Sequence, residues 1–165
     1  MTGTGTTDGP ELDLISESVG NASARIRFFR IAYGASSDQQ IGRSEIVSVL
    51  NDVMQSGRIK AAWGPLDAHP RAMVRLAFLA IQCLETAMPY GGRIEVSCND
   101  GQWLVHGKGD KLNIDKWLWS LLNGAEISQD LAPSQVQFAL LPAVALDSDR
   151  SIRTSITDTD VGIRF

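Results

Sequence analysis

Apolar residues at Leu12, Ile15, Val19, Ala22, Ile26, Phe29 and Tyr33 recur with a strict 3-4-3-4-3-4 spacing. Such a seam belongs to a helix packed lengthwise against other helices, and it is narrower than the stripe of a helix lying on a globular core. The spacing predicts one helix from Pro10 to Tyr33. Asp8 or Gly9 serves as its cap, Pro10 holds the first position and Gly34 supplies the stop. Gly20 weakens the middle of the helix by about 1 kcal/mol relative to Ala, so packing of the seam must offset it. No comparable seam precedes this one in the chain. Its partner helices are therefore expected from another subunit or from residues outside this sequence. Residues 1–9 are Gly/Thr-rich and read as a disordered or tightly turned lead-in.

The pattern changes after the helix. Residues 35–42 (ASSDQQIG) are a polar linker and the best boundary, leaving residues 43–165 as the main domain. Ser44 is expected to cap a helix from Glu45 to about Ser56, and Arg58–Trp63 alternates as a strand does. Arg71–Met88 is apolar nearly all round, as suits a central helix covered on more than one side. Arg93–Cys98 and Trp103–His106 read as a hairpin turned at Asn99-Asp100-Gly101, since Asp-Gly is a strong turn signal. A short Trp-rich helix (Ile114–Leu122) follows. A helix from Pro133 to about Leu146 comes next, kinked or cut short by Pro142. Ser151–Thr157 and Val161–Phe165 close the chain as a second hairpin. The order predicts a helical appendage and an α/β (α+β) sandwich, with helices on one face of a mainly antiparallel, mixed sheet.

Composition narrows the classes of function. The chain has 165 residues, 44% of them apolar, a net charge of -4 and a mean hydropathy near zero. This describes one folded domain with a small appendage, and it argues against wrapping a nucleic acid. No run of apolar residues is long enough for a membrane span and no leader is evident, so a cytoplasmic location is expected. Cys83 and Cys98 lack ligand spacing and read as buried free thiols.

Candidate chemistry is sparse. His69 and His106 are the only histidines, no third ligand stands at metal spacing, and no nucleophile motif accompanies either. We therefore expect neither a metal nor a catalytic residue within this chain. Glu85 could serve as a general base, but a solvent-facing helix edge is the better expectation. Gly107-Lys108-Gly109 is a weak phosphate signal by itself. Trp103, Trp117 and Trp119 read as packing residues. Arg25, Arg27 and Arg30 make the last turns of the first helix basic, a charge that the helix dipole favours there.

Taken together, a hairpin-type helix followed by helix, strand, helix, Pro-x-Gly-Gly, strand, strand and GxG resembles a sensor histidine kinase core with a Bergerat-type ATPase domain. The stretch LAFLAIQCLETAMPYGGRIEV looks like the helix that presents asparagine to nucleotide-bound magnesium. By that resemblance the asparagine position is Cys83, the position a turn earlier is Leu79, and the adenine-reading aspartate is Val105, ahead of Gly107 and Gly109. Carbon and sulfur side chains do not coordinate Mg²⁺, a hard cation that takes oxygen ligands. The resemblance thus implies a degenerate ATPase-like domain with no nucleotide cofactor and no ATP hydrolysis.

The motif NASARIRFFRIAYGAS (residues 21–36) brings the chain closest to the ChpT-type histidine phosphotransferases of alphaproteobacterial phosphorelays. That resemblance implies a homodimer built on a four-helix bundle. It also implies phosphate shuttled between a hybrid kinase's receiver and response-regulator receivers, with docking near Arg25, Arg27 and Arg30. The family carries its acceptor histidine on a first hairpin helix, which is expected upstream of Met1. The alternative is a non-catalytic, kinase-like module that binds receivers.

Overall fold

The computed structural model describes residues 10–34, 39–55 and 57–165, without the side chains of residues 10–18 and Asn21. The expected disorder of residues 1–9, positions 35–38 of the linker, Ser56, and the side chains of Leu12 and Ile15 lie outside the described residues.

The first helix, α1, spans Pro10–Tyr33. It carries two apolar faces where the sequence showed one seam. Ala24, Phe28, Ile31 and Ala32 are buried, while Val19, Ile26 and Phe29 of the seam are exposed. The buried set lies against α2 (Arg43–Met54) and α3 (Arg71–Ala87). The helix is thus bound to the domain by the face that the heptad pattern leaves out. Two-residue strands β1 (Gln40–Ile41) and β3 (His69–Pro70) pair antiparallel, and the Arg71 N–H donates to the Gln39 carbonyl at 2.8 Å. This pairing fixes the end of the linker beside the start of α3, and Ile41 is buried there.

The main sheet holds five strands in the order β2-β4-β5-β7-β6: β2 (Ile59–Trp63), β4 (Gly92–Asn99), β5 (Gln102–Lys108), β7 (Asp160–Arg164) and β6 (Arg153–Ile156). β2 and β4 run parallel with α3 as their crossover, and the other pairs are antiparallel. The mixed, mainly antiparallel sheet therefore follows the expected pattern. At the β4–β5 turn both Asp100 (φ 52°) and Gly101 (φ 78°) are left-handed, as a hairpin turn matched to strand twist requires.

Alternation sorts the sheet into two faces. Ile94, Val96, Trp103, Val105, Val161, Ile163 and Phe165 point to the helices, and α3 fills the centre of that side with Phe78, Leu79, Cys83 and Leu84. Helices α4 (Lys116–Leu122) and α5 (Gln137–Asp147) complete the layer. The opposite face is open and carries Lys60, Arg93, Glu95, His106, Lys108 and Arg164. The tryptophan expectation holds for Trp103 and Trp119, both in the core.

Boundaries differ in three places. Helix α2 starts at Arg43 with Gly42 as its cap and no side-chain cap bond, so the expected Ser44 cap does not form. Pro133 opens a 3-10 turn (Pro133–Gln135) ahead of α5, and that helix continues through Pro142 to Asp147. Asp115 caps α4 by accepting from the Trp117 and Leu118 N–H groups.

Candidate functional site

The site is built around the C-terminal half of α1 and the way it is held. Phe28 stacks on Phe78 of α3 with centroids 4.6 Å apart and planes 10° apart. The end of the helix leaves carbonyls without intrahelical donors. Two arginines of α3 supply them: Arg71 Nη2 donates to the Arg30 carbonyl (2.9 Å) and Arg75 Nε to that of Ala32 (3.0 Å). Their charge also suits the negative end of the helix dipole. At Gly34 a β-carbon would collide with the Arg30 carbonyl oxygen, so the stop demands glycine.

The three basic residues of α1 part company. Arg27 Nη1 donates to Asp52 Oδ2 at 3.0 Å, with Nη2 near Ser48 Oγ, so its charge is spent on α2. Arg25 and Arg30 are exposed. Both partners of the Arg27–Asp52 pair keep more than a third of their side-chain surface, which bounds its worth. Asp52→Ala should cost no more than about 1 kcal/mol by urea denaturation.

Between α1, α3 and the turn before α5 lies a cleft of about 480 Å³. Arg25, Phe29 and Tyr33 form one wall, Gln82, Glu85 and Thr86 another, and Ser134 and Gln137 the third. The Tyr33 hydroxyl donates to Gln82 Oε1 at 2.6 Å, and buried Gln137 donates through Nε2 to Thr86 Oγ1 (3.2 Å) and the Ser134 carbonyl (2.9 Å). Glu85 is half-buried here rather than on an open helix edge. Burial pushes its carboxyl up to about 7, against the pull of Arg25. Sequence reasoning missed this cleft because its walls come from segments far apart in the chain.

The Glu85 shift has a direct consequence for stability. A folded-state value above the ordinary 4.5 means that the folded chain favours the neutral acid. Glu85 therefore withdraws no stability below pH 4.5, withdraws progressively more up to pH 7, and levels off above. Glu85→Gln should leave stability unchanged at pH 4 and raise it at pH 8. Urea midpoints of both chains at the two pH values check this, and an equal difference at both would contradict it.

The positions compared with a nucleotide site lie inside the core. Leu79, Cys83 and Val105 are fully buried, and burial pushes the Cys83 thiol well above its ordinary range. Over Gly107, a β-carbon would stand 2.9 Å from Met88 Sδ and 3.0 Å from Leu84 Cδ2. Aliphatic side chains fill the ground between α3 and β5. The Gly109 N–H is taken by the Thr159 carbonyl at 2.9 Å. Neither histidine lies on α1: His69 packs edge-on against Trp103, and His106 Nε2 meets Asp160 Oδ1 at 3.0 Å on the open sheet face. Among the described residues no cluster of three potential metal ligands forms, and no helix is long and apolar enough to cross a membrane.

This arrangement, one long helix bound to a layer of helices on a mixed sheet, is the fold of histidine kinase cores. The histidine kinase domain of the blue-light activated histidine kinase from Erythrobacter litoralis EL346 superposes with a TM-score of 0.54 at 13% identity, over 92% of this chain and 82% of that one. The sequence profile of the histidine phosphotransferase C-terminal domain matches residues 43–160, and the chain belongs to that family. It is 29% identical over 163 residues to the protein phosphotransferase ChpT of Brucella abortus (strain 2308), covering 93% of this chain and 78% of that protein. A structure described as a bacterial phosphotransferase matches with a TM-score of 0.79 and 24% identity, over 96% of this chain and 79% of its own.

Proposed function

We propose that the chain is a histidine phosphotransferase of a two-component phosphorelay, working in the cytoplasm and serving receiver domains. Family membership supports the class of activity. The observation that carries the mechanism is the uncovered seam of α1: Val19, Ile26 and Phe29 are 64%, 52% and 42% exposed on a helix whose other face is bound to the domain. An apolar stripe at heptad spacing calls for helices laid along it. We read these as a companion helix bearing the acceptor histidine, and as the same pair from a second copy, together a four-helix bundle.

In that bundle the acceptor imidazole stands near the C-terminal turns of α1. Arg25 and Arg30, which make no ion pair within 4 Å among the described residues, face the docked receiver and its aspartyl phosphate. Phosphoryl transfer of this kind is positioning and charge stabilisation, with little covalent chemistry for the protein to perform. The domain serves as a docking frame, and its kinase-like nucleotide positions Leu79, Cys83, Val105, Gly107 and Gly109 are degenerate. The reading as a non-catalytic receiver-binding module draws on one observation: neither histidine of this chain lies on α1.

The test is transfer of ³²P-phosphate from a phosphorylated receiver to the protein carrying its companion helix. Label on that helix's histidine, lost when the histidine becomes Ala, is the expected result; receiver binding with no label favours the module. In the same assay Arg25→Ala and Arg30→Ala should slow transfer about tenfold each, as removal of one charge-assisted contact does. Arg30→Ala should leave the urea midpoint unchanged, whereas Arg25→Ala also removes the charge that opposes the rise of the Glu85 carboxyl. Unaltered rates in both would remove these arginines from the docking site.

A further inference from the structure

The open face of the sheet carries a charge arrangement that packing does not explain. Lys60 of β2 stands opposite Arg93 of β4, and Arg93 stands opposite Lys108 of β5. Three cations therefore sit side by side across three strands. Like charges directly opposite one another destabilise a sheet. Arg58 precedes β2 and Lys111 follows β5, so five of the fifteen Lys and Arg residues of an acidic chain meet at one corner.

The acids nearby offset them only in part: a hydrogen bond from Thr159 and the charges of His106 and Lys108 hold the Asp160 carboxyl below its ordinary range. Asp110 lines the same corner, Asp160 stands opposite Lys108 but bonds to His106, and Glu95 lies two residues further along β4. None of the five cations makes an ion pair among the described residues. Arg58, Arg93, Lys108 and Lys111 instead surround a concavity of about 460 Å³ beside Tyr90, with Gly91, Gly92 and Gly109 in its wall. Lys111 Nζ lies 5.0 Å from the centre of the Tyr90 ring.

We propose that this corner is a binding site for a compact, multiply charged phosphate of the pyrophosphate type. A strongly basic concavity of this size suits a small polyanion, and guanidinium forks such as those of Arg58 and Arg93 pair with phosphate oxygens two at a time. An acidic peptide would need cations strung along a groove, and here they converge. The concavity shares Gly109 with the kinase-like nucleotide positions, whereas Leu79, Cys83 and Val105 are buried on the helix side of the sheet. Bound phosphate offsets the repulsion within the Lys60–Arg93–Lys108 row, so occupancy and stability are linked.

Calorimetry with inorganic pyrophosphate, at low salt and without divalent metal, tests the site on the full chain. Pyrophosphate should bind and raise the urea midpoint. Arg93→Gln should weaken binding about tenfold or more, the loss of one charge-assisted contact, while Arg150→Gln at the far end of the sheet leaves it unchanged. Without ligand, Arg93→Gln should unfold at the same or a higher urea concentration than the parent chain, because it relieves the row. No binding at millimolar pyrophosphate overturns the proposal, as does affinity that Arg93→Gln leaves intact. Binding of hexaglutamate in place of pyrophosphate also overturns it and points to an acidic protein surface.

Discussion

Phe28→Ala should cost about 3–5 kcal/mol of unfolding free energy, the range for emptying a buried aromatic position. Phe28 is 3% exposed and stacks on Phe78, itself fully buried in α3, so the substitution leaves a void between helix and domain. A domain of this size has about 5–15 kcal/mol in all, and of the remaining anchors the apolar ones, Ala24, Ile31 and Ala32, are smaller than the lost ring while the polar ones are partly exposed. The Arg27–Asp52 pair and the two arginine bonds to the end of α1 do not compensate for the lost ring. The neighbouring substitution makes the contrast. Phe29 is 42% exposed and belongs to the seam, so Phe29→Ala should cost the single chain under about 1 kcal/mol. Its effect should appear in self-association, as a shift of sedimentation coefficient toward the monomer. Urea denaturation of both variants checks the first part. Equal costs would mean that α1 turns a different face to the domain.

That contrast also marks how much could be read without coordinates. The seam from Leu12 to Tyr33 announced the helix, because heptad spacing is a periodic signal within one segment. The second face, Ala24, Phe28, Ile31 and Ala32, keeps helical spacing too (i, i+4, i+7, i+8) but is short and holds two alanines, so the longer seam on the same helix masked it. The sheet was legible for the same local reasons. Alternation gave β2, β4 and β5, Asp100-Gly101 gave the turn, and the all-round apolar character of α3 announced a helix buried on several sides. The kinase-like order of elements carried the fold. What stayed hidden was assembled from distant segments. Glu85 looked like a solvent-facing edge until the turn before α5 closed the cleft over it. The row of Lys60, Arg93 and Lys108 depends on register between strands that no local pattern specifies.

Placing kinase-type polar ligands at Val105 and Cys83 should destroy the fold rather than create a nucleotide site. Val105→Asp places a carboxylate between Val96 and Ile163, its register partners in β4 and β7, at a position with no solvent exposure. A buried charge without a partner costs far more than a neutral polar group, and the acid escapes only by staying protonated or by unfolding the strand around it. We expect a loss of at least about 4 kcal/mol, among the large effects that single substitutions produce. Cys83→Asn adds an amide to a fully buried point on α3, at about 1–3 kcal/mol for its unsatisfied groups. The double variant should therefore lose its near-ultraviolet circular dichroism at 37 °C and gain no magnesium-dependent affinity for ATP. The physical reason is occupancy. Met88 and Leu84 already stand within about 3 Å of where a side chain on Gly107 would begin, so a new ligand would find no space to coordinate anything. A folded double variant that binds ATP only with magnesium would show that α3 and β5 can part to admit a nucleotide. The aliphatic filling would then be a movable covering over a working frame.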